Sequence, residues 1–152
     1  MYIGISVVTD NGSGLKAHSM IKISDLMKSF FKEKEYGTIN HYLIVCQAVK
    51  TIPGFEKFSS VPRPIFKETQ WFRKLDGTKE QLNGVYSYGV KFDFEEYDQF
   101  VAASDKEAER MIAQKVVDSL SNLDRLSKKA AGFDKERFKS DLIWLFSQHK
   151  LI

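Results

Sequence analysis

The side chains able to do nucleophilic or acid–base chemistry are few: His18, His41, His149, the single cysteine Cys46, and several serines. A hydrolase or transferase needs a nucleophile, a base within hydrogen-bond reach, and a group that orients the base. His41 and Cys46 fall at an odd separation in one alternating apolar segment, so a strand would turn them to opposite faces and prevent a dyad. An enzyme using His41 or His18 in a sheet-edge pocket is therefore the least supported of the functional readings. The sequence contains no HExxH, CxxC or Asp-rich calcium loop, so no metal ligands are assigned. Gly12-Ser13-Gly14 stands between a strand-like and a helix-like segment. That is the context of a phosphate-binding turn, but the Walker lysine and a third spaced glycine are missing. A flexible turn with Ser13 as helix cap accounts for it. No catalytic residue and no cofactor is expected.

Charge offers more than catalysis does. The chain of 152 residues has 23 Lys and Arg against 20 Asp and Glu, a formal net charge of +3. From Lys57 to Lys79 six bases (Lys57, Arg63, Lys67, Arg73, Lys74, Lys79) face two acids, Glu68 and Asp76, and aromatic residues interleave them. From Asp93 to Glu109 seven acids face one base, Lys106. The small total is thus a cancellation between a basic, aromatic strip and an acidic block. The start of a helix explains Glu107 and Glu109; the run Asp93 to Asp98 calls for something else, such as steering a basic partner. Phe55, Phe58, Trp71, Phe72, Tyr86 and Tyr88 supply rings large enough to anchor a protein interface.

The elements that must position these groups follow from periodicity and punctuation. Residues 2–9 (YIGISVVT) are apolar and β-branched at nearly every position, which predicts a strand near the centre of a sheet. Met20, Ile23, Met27, Phe30 and Phe31 recur at helical steps, with Gly37 as a stop. A hairpin over residues 10–24 followed by a shorter helix is the rival pattern. A second strand is predicted over 39–49, a loop over 53–64 that holds all three prolines, and strands over 65–75 and 85–94. Asp76-Gly77 and Asn83-Gly84 bound the connection between these last two and favour a hairpin. A short helix is expected over 95–102. Ser104 and Glu107 make a capping box for the next helix, which ends by Gly132, and Asp134 caps another, with Phe133 and Phe138 as its hydrophobic staple. The order β-α-β-β-β-α-α predicts a single α+β domain over residues 1–152, with a largely antiparallel sheet of about four strands packed against three to four helices. The lone cysteine, the absence of a signal-like N-terminus and the lack of a run of about 20 apolar residues predict a cytoplasmic chain with no membrane partner.

The segments YGTINHYLIV (36–45), WFRK (71–74), VKFDFEEYDQFVAASDKEAERMIAQKVVDSL (90–120) and FDKERFKSDL (133–142) resemble the layout of the immunity protein 44 family. These are bacterial proteins of polymorphic-toxin and contact-dependent growth inhibition systems. The likeness runs over most of the chain from Tyr36 onward and is carried by short segments. It implies an α+β, non-enzymatic protein whose partner is a cognate toxin C-terminal domain, neutralised by stoichiometric occlusion. It also implies a characteristic Trp, matched by Trp71 or Trp144, and a characteristic Glu, matched by Glu95 or Glu96. The expected toxin-binding residues are Glu95, Glu96, Asp98, Trp71 and Arg73. One feature departs from the pattern: immunity proteins against nucleases are commonly acidic, whereas this chain has a pI near 8.9. The alternative is an RNA- or DNA-binding module, with the strip over 57–79 contacting phosphates and Trp71 and Phe72 stacking on bases.

Overall fold

The computed structural model describes residues 1–9, 16–48, 63–92 and 94–152. The prolines Pro53 and Pro62, the Gly-Ser-Gly turn, Lys57, Phe55, Phe58 and Asp93 lie outside that range, so the structure of those residues is not described; the expected capping of the first helix by Ser13 is corrected, because that helix begins at Ala17 with Lys16 in the left-handed conformation at its N-cap. The elements are β1 (Tyr2–Thr9), α1 (Ala17–Phe31), β2 (His41–Ala48), β3 (Ile65–Arg73), β4 (Lys79–Lys91), α2 (Phe94–Ala102), α3 (Asp105–Ser119) and α4 (Lys135–Gln148). Two 3-10 turns, Leu120–Arg125 and Lys128–Ala130, link α3 to α4. The α+β class and the order of elements are as the sequence predicts. Residues 17–24 are helical, which decides against the hairpin there. No described helix is long and apolar enough to cross a membrane.

Two expectations about the sheet need correction. Its strand order is β1-β2-β4-β3, so β1 is an edge strand and not a central one. Nor is it largely antiparallel: β1 pairs with β2 and β2 with β4 in parallel, and only β3 with β4 is antiparallel. The physical reason is connectivity. α1 occupies the link between β1 and β2, and a helical crossover returns the chain in the same direction, as a parallel pair requires. β3 then pairs on the far side of β4, which leaves β2 and β4 side by side.

Alternation along the strands divides the sheet into two faces. Ile3, Tyr42, Ile44, Cys46, Tyr86, Tyr88 and Val90 are buried on the face that meets the helices. There Phe31 of α1, Phe138 of α4, Tyr36 and Tyr42 pack ring on ring, with centroids 4.8–5.9 Å apart. α1 adds Met20, Ile23 and Met27, and α3 adds Ile112 and Val116. A hydroxyl chain ties sheet to helix within this core: Tyr42 donates to Tyr88 at 2.9 Å, Tyr88 lies 2.6 Å from Ser119 Oγ, and Ser119 donates to the Val116 carbonyl at 2.6 Å.

The C-terminal punctuation holds in detail. Ser104 Oγ accepts from Glu107 N–H at 3.3 Å, and the Glu107 carboxylate accepts from Ser104 N–H at 3.2 Å. Asp134 accepts from Arg137 N–H, and the Phe133 and Phe138 rings stand 5.5 Å apart. α3 is shorter than expected, however, because the backbone tightens into 3-10 geometry at Leu120, well before Gly132. α1 likewise ends at Phe31, six residues ahead of Gly37. Gly37 serves another end: its φ is +98°, and a Cβ there would lie 2.0 Å from the Gly132 carbonyl oxygen. Gly84 is also not a turn residue. It lies inside β4 with φ +62°, where a Cβ would meet the Thr38 carbonyl oxygen at 2.2 Å.

Candidate interaction surfaces

The register of β4 fixes where the two charge clusters stand. His41 of β2 pairs with Val85, and just ahead of that pair Asn40 N–H donates to the Gly84 carbonyl and His41 Nδ1 lies 3.1 Å from the Asn83 carbonyl, so in the sheet only the β4 residues before Asn83 have β3 alone beside them. Gln70 to Arg73 and Lys79 to Leu82 therefore form a two-stranded arm that reaches past the start of β2. Its turn is built from local chemistry. Lys74 and Thr78 close it with a backbone hydrogen bond of 2.7 Å, Gly77 supplies φ +84°, and Thr78 donates through both N–H and Oγ1 to Asp76 Oδ1. Those two donors, the hydroxyl first, hold the Asp76 carboxyl below the usual aspartate range. The hairpin is thus real, but its turn lies at Asp76-Gly77, and β4 begins six residues earlier than expected.

Trp71 and Arg73 sit on this arm. Alternation puts them on the face turned away from the helices, together with Ile65, Lys67 and Thr69 of β3 and the β4 partners Lys79, Gln81, Asn83, Val85 and Ser87, of which Val85 is buried. That set contains Lys67, Arg73 and Lys79 and no carboxylate. The acids of the hairpin are placed elsewhere: Asp76 is in the turn, Glu80 bonds Lys74 at 3.8 Å, and Glu68 and Glu80 both lie on the opposite parity. Trp71 is 62% exposed, and Leu75 at the tip is fully exposed. No side chain of β3 belongs to the buried core. Leu75 is the contact candidate that sequence patterning alone does not single out; the signal present was an apolar residue directly beside Asp76-Gly77.

Glu95, Glu96 and Asp98 lie at the start of α2, beyond the other end of β4. Trp71 pairs with Gln81, ten residues before Lys91, so at about 3.3 Å per residue the two clusters are roughly 30 Å apart. The fold does not bring them together. Several acids of the block also have structural work. Glu96 forms an ion pair with Lys115, which itself lies over the Phe92 ring; Glu107 completes the capping box; and the buried Glu109 pairs with Lys22 at 3.2 Å. Glu95 and Asp98 are exposed, and Glu95 in the first turn suits the helix dipole.

The remaining candidates are scattered. Cys46 is buried, and burial pushes its thiol up to about 12, which is the reverse of nucleophile activation. His41 Nδ1 lies 3.1 Å from the Asn83 carbonyl on the opposite side of the sheet. His18 and His149 are exposed on α1 and at the end of α4. Trp144, the other tryptophan, is 55% exposed and stacks on Phe30 of α1 with ring centroids 5.7 Å apart. Among the described residues no cluster of His, Cys, Asp or Glu could hold a metal ion.

A family model described as immunity protein 44 matches residues 1–148, nearly the whole chain. No curated protein and no solved structure matches it.

Proposed function

Because the chain belongs to the immunity protein 44 family, we propose that it binds a cognate bacterial toxin domain and neutralises it by stoichiometric occlusion, without catalysis of its own. The family match carries this reading. It is supported by exposed anchoring side chains and segregated charge on a fold whose histidines and cysteine are dispersed. The setting that goes with it is the cytoplasm of a cell using polymorphic toxins or contact-dependent growth inhibition, with the C-terminal domain of a large secreted protein as the partner.

Two groups of residues are proposed as contacts: Trp71 and Arg73 on the hairpin arm, and Glu95, Glu96 and Asp98 on α2. A stable interface covers about 800 Å² of each partner, a disc roughly 30 Å across. A toxin centred on one group would therefore only graze the other. The excess of bases that sets this chain apart from acidic immunity proteins is consistent with the arm as the centre.

The test is co-expression. The probe is the C-terminal domain of the large protein encoded immediately upstream, induced with and without this chain. Growth arrest by the domain alone, and growth restored by co-expression, is the expected outcome. Arrest that persists with the protein present at equal or greater level refutes the reading. If alanine substitutions across both groups leave protection intact, the contact assignment is wrong.

A further inference from the structure

We propose that the arm formed by β3 and β4 enters the toxin, seating Trp71 and Leu75 in an apolar cleft whose rim carries carboxylates facing Arg73 and Lys79 on the arm and Lys67 at its base. This rests on the immunity reading above and goes further by naming the element and the chemistry of its partner surface. Three observations carry it. The arm extends past β2, so its end is held by only one ladder, and Trp71, Arg73, Lys79 and Gln81 on its outward side are all exposed. It presents a tryptophan at 62% exposure and a fully exposed leucine, although a Trp ring removes about 150–250 Å² from water when it is covered. Its exposed face is basic without a single acid, because both strand acids point to the other side.

An edge strand carries lysines simply to discourage strand-to-strand aggregation. That need accounts for Lys67 but not for Trp71 and Leu75, which raise the aggregation hazard unless something covers them. The identity of the cover follows from charge and shape. A second copy docking face to face would oppose Lys67, Arg73 and Lys79 to themselves. A nucleic acid would take the bases and stack on Trp71, but has no use for an aliphatic tip at Leu75. A protein cleft with an apolar floor and an acidic rim satisfies all five side chains.

The experiment measures binding of the full-length chain to the upstream-encoded C-terminal domain, at 50 and 300 mM NaCl, with thermal melts to show that each variant is folded. Trp71→Ala and Leu75→Ser should each weaken binding at least tenfold at both salts. The triple change Lys67→Glu, Arg73→Glu, Lys79→Glu should weaken it at least a hundredfold at 50 mM NaCl, chiefly through the association rate, and less at 300 mM, where screening shortens the reach of charge. Lys32→Glu with Lys106→Glu should leave affinity within threefold. In a Trp144→Phe background the Trp71 emission should shift to the blue on complex formation, a readout that leaves the arm unaltered.

Wild-type binding with all arm variants within threefold, or a complex with no emission shift, overturns the proposal while leaving the immunity reading in place. A larger loss from Glu95→Gln with Asp98→Asn than from the arm variants overturns it too. Retention of a 20-nucleotide single-stranded RNA that depends on the arm, without an arm-dependent toxin complex, replaces the protein partner by a nucleic acid. A wild-type chain that neither binds nor protects removes the immunity reading, and the arm's role with it.

Discussion

Changing Tyr88 to Phe tests how the sheet is fastened to α3. The Tyr88 hydroxyl is fully buried and occupies the middle of a relay, taking the Tyr42 proton at 2.9 Å and lying 2.6 Å from Ser119 Oγ, which donates onward to Val116 O. Its removal leaves the Tyr42 O–H, also buried, with nothing to donate to. A stranded buried donor costs about 1–3 kcal/mol, whereas a lost hydrogen bond whose partner keeps another costs nearer 1 kcal/mol. Tyr88→Phe should therefore destabilise by about 2 kcal/mol and Tyr42→Phe by about 1 kcal/mol. The double change should be no worse than Tyr88→Phe alone, because it removes the stranded donor as well. For a chain of this length the Tyr88→Phe loss corresponds to a fall in Tm of about 4–8 °C. Urea unfolding followed by far-UV circular dichroism gives the free energies, provided the m-values agree. If Tyr42→Phe costs as much as Tyr88→Phe, or if the double change is the sum of the two, the relay as drawn is wrong.

Further outcomes follow from the same geometry. The Tyr86 hydroxyl is buried and has no hydrogen-bond partner among the described residues, so Tyr86→Phe should be neutral or stabilising by about 1 kcal/mol in the same urea assay. Gly37→Ala must place a methyl group against the Gly132 carbonyl oxygen in a left-handed backbone; a loss of at least about 3 kcal/mol is expected, and a loss below 1 kcal/mol would show that the two glycines do not meet. Burial raises the pKa of Tyr88 from 10.0 to about 12, raises Tyr42 and Tyr86 as well, and takes Cys46 from 9.0 to about 12. The folded state then keeps protons that the unfolded state releases, so stability is whole below pH 9 and drains away as pH rises from 9 towards 12. Melts between pH 8 and 11 should show a falling Tm, and Cys46→Ala should make the fall shallower from pH 9 upward, most visibly between pH 9 and 10, before the tyrosines contribute. A Tm flat to pH 11 would contradict the burial. Ser104→Ala removes half of the capping box and should cost about 1 kcal/mol, read by the same denaturation.

The legible parts of this fold were those whose signals are local. The start of α3 at Ser104 and of α4 at Asp134 could be read because cap and staple residues lie within four positions of one another. Strand existence was equally plain, since β2 alternates cleanly from His41 to Cys46. Strand neighbours were not. An apolar run such as YIGISVVT reports β-propensity and burial, and Ile3 is indeed buried, yet Tyr2 is 48% exposed at the edge of the sheet. Asn83-Gly84 misled for a related reason: Gly at φ +62° is the mark of a turn in isolation, but here the same conformation lets β4 pass close to Thr38. For the interaction surfaces, the sequence disclosed which residues are charged and aromatic; that Lys67, Trp71 and Arg73 share one face came with the pairing of β3 and β4. That this face sits on an arm extending beyond β2, about 30 Å from the acids of α2, follows only from the pairing of His41 with Val85.

The most direct test of the central claim is to titrate the toxin's activity against this protein. With the upstream-encoded C-terminal domain fixed well above its Kd, residual toxic activity should fall linearly and reach zero at one molar equivalent, with a 1:1 complex on size-exclusion chromatography with light scattering. Activity that vanishes at a small fraction of an equivalent would mean that the toxin is modified rather than occluded. Activity unchanged at several equivalents, with no complex, would contradict the account altogether.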